Sequence, residues 1–303
     1  MNILTAAQIN DNSNNIDLGQ LQINVTSARN AFPITDATIS ISYTGANGTI
    51  LEQVRTNSSG QTEVLDLAAP PLEYSLNPNN EIRPYSVYTL DITAPGFEPV
   101  SIAGTEILPD VTALQNVTLN PSEPNEVSEE QFVIPGHTLY EEYPPKIPEP
   151  EIKPLRETGE IVLSRVVVPE YIVVHNGRPN DASAQNYYVK YKDYIKNVAS
   201  SEIYATWPIN TIRANVLAIM SFTLNRVYTE WYRNQGFDFT ITSSTAFDHK
   251  WIPERNYYDT ISVKWAGQVV ATRRQHSLGA LDLVATDADF DDIDDIETMT
   301  TDD

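Results

Sequence analysis

The stretch YKDYIKNVASSEIYATWPINTIRANVLAIMSFTLNRVY, residues 191–228, decides the fold of the second half of the chain. Large apolar residues recur at Tyr191, Ile195 and Val198, and intervals of three and four residues place them on one face of a helix. Glu202 occupies the next position on that face, where the pattern predicts another apolar residue. A carboxylate at such a position requires an explanation, and chemistry is one of the candidates.

A second, longer helix is predicted after the dipeptide Trp207-Pro208. Thr206 can cap its free amides, and Pro208 suits the first turn because a missing amide donor costs nothing there. Gly236 lies where this helix is expected to have just ended. The apolar residues keep a rhythm of three and four, at Ile209, Ile212, Val216, Ile219, Leu224, Val227 and Trp231.

The composition limits the classes of protein to consider. With 303 residues, 41% of them apolar, the chain is long enough for two small domains with their own cores. The absence of cysteine excludes disulfides and thiolate chemistry. The opening MNILTAAQINDNSNN has no basic start and no continuous apolar run, so we expect no secretory leader. No segment approaches the roughly 20 apolar residues of a membrane span.

The formal net charge of −22 is spread unevenly along the chain. Residues 156–263 are balanced, with 11 basic and 11 acidic side chains, whereas the rest of the chain is strongly acidic. No basic stretch offers a surface for nucleic acid or anionic lipid. We therefore expect neither as a partner.

Residues 18–120 consist of short alternating segments separated by turn signals. The segments LQINVTS, ATISISY, YSVYTLDIT and LQNVTLNP alternate, and their spacing predicts a small antiparallel β-sandwich. The order of the segments also resembles the carboxypeptidase regulatory-like (transthyretin-like) sandwich, through Ile34–Ile41, Thr56–Gly60, Tyr88–Phe97 and Asn116–Pro121. The resemblance implies a domain that supports or binds rather than one that catalyses.

Two further segments are marked by their composition. Residues 121–155 are rich in proline and glutamate, which predicts a stiff, extended, solvated linker. The alternative is a processing site for a maturation protease, although a plain spacer is favoured. Residues 264–303 end in a dense run of acidic side chains, which predicts disorder. Its DADFDD segment lacks the glycine and the closing glutamate of a calcium loop, so we predict no calcium site there.

Residues 156–263 form the remaining segment. The β-rich runs EIVLSRVVV and EYIVVHNG predict two neighbouring strands, and FDFTITSS predicts another after the helices. The whole chain is therefore predicted to be α+β. Its parts are an N-terminal antiparallel β-sandwich, a Pro-rich linker, a mixed α+β module with two consecutive helices, and a disordered acidic tail.

Two physical effects would raise the pKa of Glu202 if its helix ends near Ile203 or Tyr204. The negative end of the helix dipole disfavours another negative charge, and an apolar surrounding removes hydration from the carboxylate. A glutamate with a raised pKa can donate a proton to a leaving group, as cleavage of a glycosidic bond requires. The competing interpretation is an exposed, solvated glutamate at a frayed helix end.

The same stretch resembles the stage II sporulation protein D family. That motif has a tyrosine-led helix, a glutamate, a short loop ending in Trp-Pro, and a long helix rich in Ala and Asn, which here correspond to residues 191–228. The longer run from GEIVLSRVVVPEYIVVHNG to FTITSSTAFDHKWIPERN is similar to the clostridial germination-specific spore cortex-lytic enzymes, over about residues 130–263.

The resemblance implies a lytic transglycosylase that acts on peptidoglycan glycan strands in the spore of a Firmicute. In that family the glutamate matching Glu202 protonates the oxygen between N-acetylmuramic acid and N-acetylglucosamine. The same residue then accepts the proton of the muramic 6-hydroxyl, and a 1,6-anhydro ring closes. This reaction uses one carboxyl group, no water, no cofactor and no metal. The implied location is the cortex or the interface between forespore and mother cell.

Tyr204 and Trp207 flank the turn after Glu202 and are candidates for stacking on sugar faces. Trp207 could equally fill part of a core. Arg213 and Asn215 fall in the first turns of the second helix, where they could contact saccharide or only solvate the helix.

Asp248 and His249 lie in a polar loop and are candidates for lining the groove. Such a pair more often makes a loop hydrogen bond than it binds a metal, so we predict no metal site.

The chain departs from the cortex-lytic pattern after DTISV, where the second half of the catalytic module is replaced by residues 264–303. A catalytic glutamate alone does not make an enzyme, because the substrate must also be positioned. The alternative function is therefore a non-catalytic protein that binds peptidoglycan or has a structural role in the spore, as a truncated paralogue or pseudoenzyme.

Overall fold

A computed structural model describes residues 16–28, 32–46, 49–122, 129–147, 163 and 166–262, together with the backbone of two later strands. The chain is α+β. The helices are α1 (Leu72–Leu76), α2 (Tyr191–Glu202), α3 (Ile209–Tyr228) and α4 (Asp259–Ser262), with a 3-10 turn at Arg233–Gln235. The strands are β1 (Asp17–Ser27), β2 (Thr38–Tyr43), β3 (Ile50–Arg55), β4 (Leu65–Ala69), β5 (Ser86–Thr93), β6 (Val100–Ile107), β7 (Thr112–Leu119), β8 (Glu130–Val133), β9 (Tyr171–His175), β10 (Asn186–Lys190), β11 (Ile241–Thr242), β12 (Tyr257–Tyr258), β13 (Ala266–Val270) and β14 (Val284–Asp289).

The N-terminal β-sandwich predicted from the alternating segments is present. One sheet has the strand order β12-β7-β1-β4 and the other has the order β3-β2-β5-β6-β8. Their facing sides form one core, because every second residue of a strand points inward, as Leu21, Ile23 and Val25 do in β1. The hydroxyl of Tyr88 donates a 2.8 Å hydrogen bond to the carbonyl of Ala68 on the opposite sheet.

The sandwich is mixed rather than antiparallel, which corrects the prediction. β1 pairs with β7 in parallel, and β6 pairs with β8 in parallel, whereas the other pairs are antiparallel. Only strands joined by a tight hairpin must be antiparallel. β1 and β7 are separated by the other strands of the sandwich, so no hairpin constrains their direction.

The sandwich extends beyond its predicted range of residues. β8 lies within the predicted linker, 121–155, and Ile134 after it is buried in the common core. β12 lies within the predicted module, 156–263, and pairs with β7 through Tyr257 and Tyr258. Residues 129–147 therefore include a paired strand as well as extended chain, because Phe132 and Ile134 have apolar surface that the core can bury.

The helix predicted at the decisive stretch is confirmed as α2. Tyr191, Tyr194, Ile195 and Val198 are buried on the predicted face. The run EYIVVHNG forms β9 as predicted, but its neighbours are β10 and β11 rather than EIVLSRVVV. Of the latter run, Leu163 and residues 166–168 are not in a strand, and its other residues lie outside the described ones.

The second helix, α3, begins at Ile209, directly after Trp207-Pro208 as predicted, but its predicted cap and its predicted end are wrong. Pro208 is in the capping position, and no side chain caps the helix. Thr206 instead donates a 2.7 Å hydrogen bond to the hydroxyl of Ser75 in α1. The helix ends at Tyr228, and Gly236 closes the later 3-10 turn with a left-handed φ of 89°. Trp231 therefore lies after the helix.

The predicted tail, 264–303, contains two strands. β13 and β14 pair in an antiparallel hairpin, with Val269 opposite Ala285 and Val270 opposite Val284. The prediction of disorder is therefore wrong for β13 and β14, because valine favours extended backbone. The rest of the tail lies outside the described residues, including positions 290–292 of the DADFDD segment.

Candidate functional site

Glu202 is the last residue of α2, and the chain leaves the helix at Ile203. Val198 and Ala199 before it are fully excluded from solvent, whereas Glu202 is half-buried. Its Oε1 accepts a 2.6 Å hydrogen bond from the backbone amide of Lys250. The carboxyl group is thus held through one oxygen by a backbone donor, and the residue keeps contact with solvent.

The pKa of Glu202 is raised from 4.5 to about 7, chiefly because burial disfavours the ionised form. The hydrogen bond from the Lys250 amide and the positive charge of Lys146 act in the opposite direction, but they do not offset the lost hydration. The partial negative charge at the end of α2 also favours the neutral form. The carboxyl is therefore partly protonated near neutral pH, which is the state required of a general acid.

Asp248 fixes one side of the loop that carries the Lys250 amide. Its carboxylate is buried and forms an ion pair with Arg226, at 2.8 Å from Nε. The same carboxylate accepts hydrogen bonds from the hydroxyl of Tyr232 at 2.6 Å and from the amide and hydroxyl of Thr242 at 2.9 and 2.7 Å. A predicted groove-lining residue is thus a buried structural anchor, because four donors occupy its two oxygens.

Asn197 of α2 fixes the other side of that loop. Its Nδ2 donates to the carbonyl of Ile252 at 2.7 Å, and its Oδ1 accepts from the amide of Ile252 at 3.0 Å. The side-chain amide of Asn197 therefore forms with the backbone of Ile252 the two hydrogen bonds that a neighbouring strand would form. Because Lys250 lies between Asp248 and Ile252, these two anchors hold its amide against Glu202.

The structure places both predicted aromatic residues against protein. Tyr204 is buried, with its ring centroid 4.5 Å from that of His137. The indole Nε1 of Trp207 donates a 3.0 Å hydrogen bond to the carbonyl of Ser75 in α1. Trp207 also packs on the common core, in agreement with its alternative role as a core residue. Both rings connect the helical segment to the sandwich.

Among the described residues, neither of the two candidates on α3 forms a hydrogen bond with Glu202. Arg213 is exposed, and the side-chain amide of Asn215 donates a 2.9 Å hydrogen bond to the carbonyl of Thr211 on the same helix. Their proposed contact with saccharide stays a prediction.

His249 of the polar loop is packed against an aromatic ring. Its ring centroid lies 4.6 Å from that of Phe222 in α3. Burial lowers the pKa of His249 to about 3, so its ring is neutral at ordinary pH. Within the described ranges, no group of three or more His, Cys, Asp and Glu side chains could hold a metal ion.

Sequence reasoning missed Lys250 and Glu254. The contact of Lys250 with Glu202 runs through a backbone amide, which has no signature in residue type. The pKa of Glu254 is raised to about 7 by burial and by the nearby charge of Glu130. Glu254 is thus a second carboxyl that titrates near neutrality, and its only sequence signal was its place in the polar loop.

A groove of about 290 Å³ lies beside the Glu202 site. It is lined by residues 131–133, Pro135, Asn176 and residues 250–253. Lys250 belongs to both features, because its amide binds Glu202 and the residue also lines the groove.

Among the helices of the described residues, none combines the length and apolar character that a membrane crossing requires.

The chain matches no protein-family model, and no curated protein matches it. Among solved structures, Klebsiella pneumoniae 5-hydroxyisourate hydrolase is 18% identical, over 34% of this chain and 92% of that one, with a TM-score of 0.24. The Bacillus anthracis TIE protein is 15% identical, over 35% of this chain and 17% of that one, with a TM-score of 0.23. The minor pilin GBS52 of Streptococcus agalactiae is 11% identical, over 38% of this chain and 49% of that one, with a TM-score of 0.25. Likeness at this level supports no activity, substrate or partner, and the β-sandwich rests on the strand pairing itself.

Proposed function

We propose that the protein is a peptidoglycan lytic transglycosylase that acts on spore cortex during germination or cortex remodelling. The observation that carries the proposal is the half-buried Glu202 carboxyl, held by the Lys250 amide and with its pKa raised to about 7. A carboxyl in this state can act as a general acid near neutral pH.

In the proposed reaction, Glu202 donates its proton to the glycosidic oxygen between N-acetylmuramic acid and N-acetylglucosamine, and the bond from that oxygen to the muramic C1 breaks. The carboxylate then accepts the proton of the muramic 6-hydroxyl as its oxygen bonds to C1. The products are a 1,6-anhydromuramic end and a free N-acetylglucosamine hydroxyl. Glu202 returns to its protonated form, so one carboxyl completes the cycle without water.

The Glu202-to-Trp207-Pro208 motif between two helices supports this assignment through its resemblance to the sporulation family. The carboxypeptidase regulatory-like identity of the sandwich and its role as a supporting domain belong to the same proposal. The linker is a plain spacer in this proposal, and cleavage there by a maturation protease is the alternative.

The second candidate is a non-catalytic protein that binds peptidoglycan or has a structural role in the spore. The observation that favours it is the burial of Tyr204 and the bond of Trp207 to Ser75, which occupy the two rings expected to stack on sugars. A site without those rings would bind saccharide less firmly.

Mass spectrometry of the products from purified cortex fragments distinguishes the two candidates. We expect the wild type to release 1,6-anhydromuramic products and Glu202→Gln to release none while still sedimenting with cortex. Glu254→Gln is the matched control, because its carboxyl has a similarly raised pKa, and it should retain release. Release by Glu202→Gln would reject the acid assignment, and sedimentation of the wild type without any release would favour the binding protein.

A further inference from the structure

β8 is the last strand of its sheet, and its outer edge has no partner strand among the described residues. The amides of Glu130 and Ile134 donate toward β6, at 3.0 and 2.8 Å. Because successive amides of a strand point in opposite directions, those of Gln131 and Val133 face the outer edge. An unpaired edge of this kind is a template for another strand.

The groove beside the Glu202 site includes this strand in its lining. Gln131, Phe132 and Val133 line it together with residues 250–253. Val133 is 76% exposed, whereas Phe132 packs on the core. The open edge therefore faces a bounded groove, which would hold an added strand in place.

Side chains of both charges lie at or next to the groove. Lys250 lines it, and the Nζ of Lys250 lies 5.1 Å from the centroid of the Tyr143 ring. Glu254 follows the lining residue Pro253, and its pKa is raised by burial and by the charge of Glu130, which precedes the lining residue Gln131. A cationic residue therefore lines the groove, and two carboxyl residues adjoin its lining.

We propose that this groove binds an extended segment of a partner protein, which adds to the Gln131–Val133 edge as a further strand. Backbone hydrogen bonds supply the affinity, as in other cases of strand addition. The segment has an acidic side chain toward Lys250 and a basic side chain toward Glu130 and Glu254. This proposal does not depend on the peptidoglycan reaction.

Amide NMR with two synthetic peptides tests the proposal on the full chain. The probes are capped heptapeptides of alternating Val and Thr with Lys second and Glu sixth, and the same sequence reversed, because either strand direction is allowed. One of them should shift the amide signals of Gln131 and Val133 and slow their hydrogen exchange. Replacing Lys and Glu of that peptide by Gln should weaken its binding.

Val133→Pro removes one outward amide while keeping the extended backbone, which an edge strand tolerates. It should weaken peptide binding about tenfold, as expected for the loss of a hydrogen bond and the fit around it. Tyr188→Pro is the matched control, because Tyr188 is 77% exposed and its pairing with β9 leaves its amide on the outer side of β10. This control should bind normally.

A second test does not depend on the folding of a variant. N-methylation of the peptide amides that face β8 should abolish binding, whereas methylation of the alternate amides should not. Equal binding of both methylated peptides, or no change at Gln131 and Val133 with either heptapeptide, would overturn the proposal. Binding of muramyl tripeptide in the groove without binding of either heptapeptide would also overturn it.

Discussion

Arg255 Nη2 lies 2.6 Å from Glu106 Oε2, and both side chains are fully buried. Glu106 belongs to β6 of the sandwich, whereas Arg255 follows the loop that carries the Lys250 amide. Arg255 also donates a hydrogen bond to the carbonyl of Ser200 in α2. One ion pair therefore joins the sandwich, the loop and the helix that ends at Glu202.

Removing one partner of this pair should destabilise the protein strongly. Arg255→Met leaves the Glu106 carboxylate buried without its counter-charge, which should lower the free energy of unfolding by about 3–5 kcal/mol. The double variant Glu106→Leu/Arg255→Met should lie within about 1 kcal/mol of the wild type or above it, because neither charge remains to be desolvated. Urea unfolding measures both values.

The control for this pair is the contact between Lys196 and Asp193, at 3.7 Å, whose side chains are 31% and 36% exposed. Lys196→Met should change the free energy of unfolding by about 1 kcal/mol or less. A similar loss of unfolding free energy in Lys196→Met and Arg255→Met would show that burial does not determine the cost of removing one partner of an ion pair.

Protonation of Glu202 should make stability depend on pH. Its pKa is about 7 in the folded chain, whereas the ordinary value is 4.5. The stabilisation that the protonated carboxyl gives the folded chain is therefore fully present below pH 4.5 and is lost as the pH rises through about 7. Glu202→Gln does not titrate. As the pH rises through this range, the free energy of unfolding of Glu202→Gln should therefore increase relative to that of the wild type. The expected increase is on the order of 2 kcal/mol, after allowance for partial exposure. Urea unfolding at several pH values measures the difference, and a difference independent of pH would contradict the raised pKa.

The pH profile of product release should have a single descending limb if Glu202 acts alone. Because the protonated carboxyl starts the reaction, release should fall about tenfold per pH unit above its pKa of about 7. Initial rates of anhydromuramic release across the range from acid to mildly alkaline pH measure the profile. A hydrolase with two carboxyls would instead give a bell-shaped profile and reducing muramic ends.

Asp248→Asn should destabilise the loop that holds the Lys250 amide. The substitution removes the counter-charge of Arg226 and places amide hydrogens against donors, which should cost about 3 kcal/mol or more. Thermal and urea unfolding measure this loss. The control is Asp238→Asn at an exposed position, where the new amide oxygen can still accept from Asn186, and it should change stability by less than about 0.5 kcal/mol. Equal stability of the two variants would contradict the role of Asp248 as an anchor.

Local patterns predicted α2 and the main strands of the sandwich correctly. The spacing of Tyr191, Ile195 and Val198 encodes a helical face, and strict alternation encodes the strands, so neither prediction needs information from distant residues. The predicted cap of α3, Thr206, was wrong for the opposite reason. Thr206 bonds to Ser75, which is 131 residues away in sequence, and no local pattern shows that partner.

The same contrast applies to the candidate site. The sequence alone determined that a carboxylate occupies the end of an amphipathic helix, because the helical period is a local property. Tertiary structure decided the surroundings of that carboxylate: the Lys250 amide is 48 residues away, and the Glu106–Arg255 pair joins residues 149 apart. Burial, hydrogen bonding and the resulting pKa depend on which distant segments pack together, and that packing is a property of the whole fold.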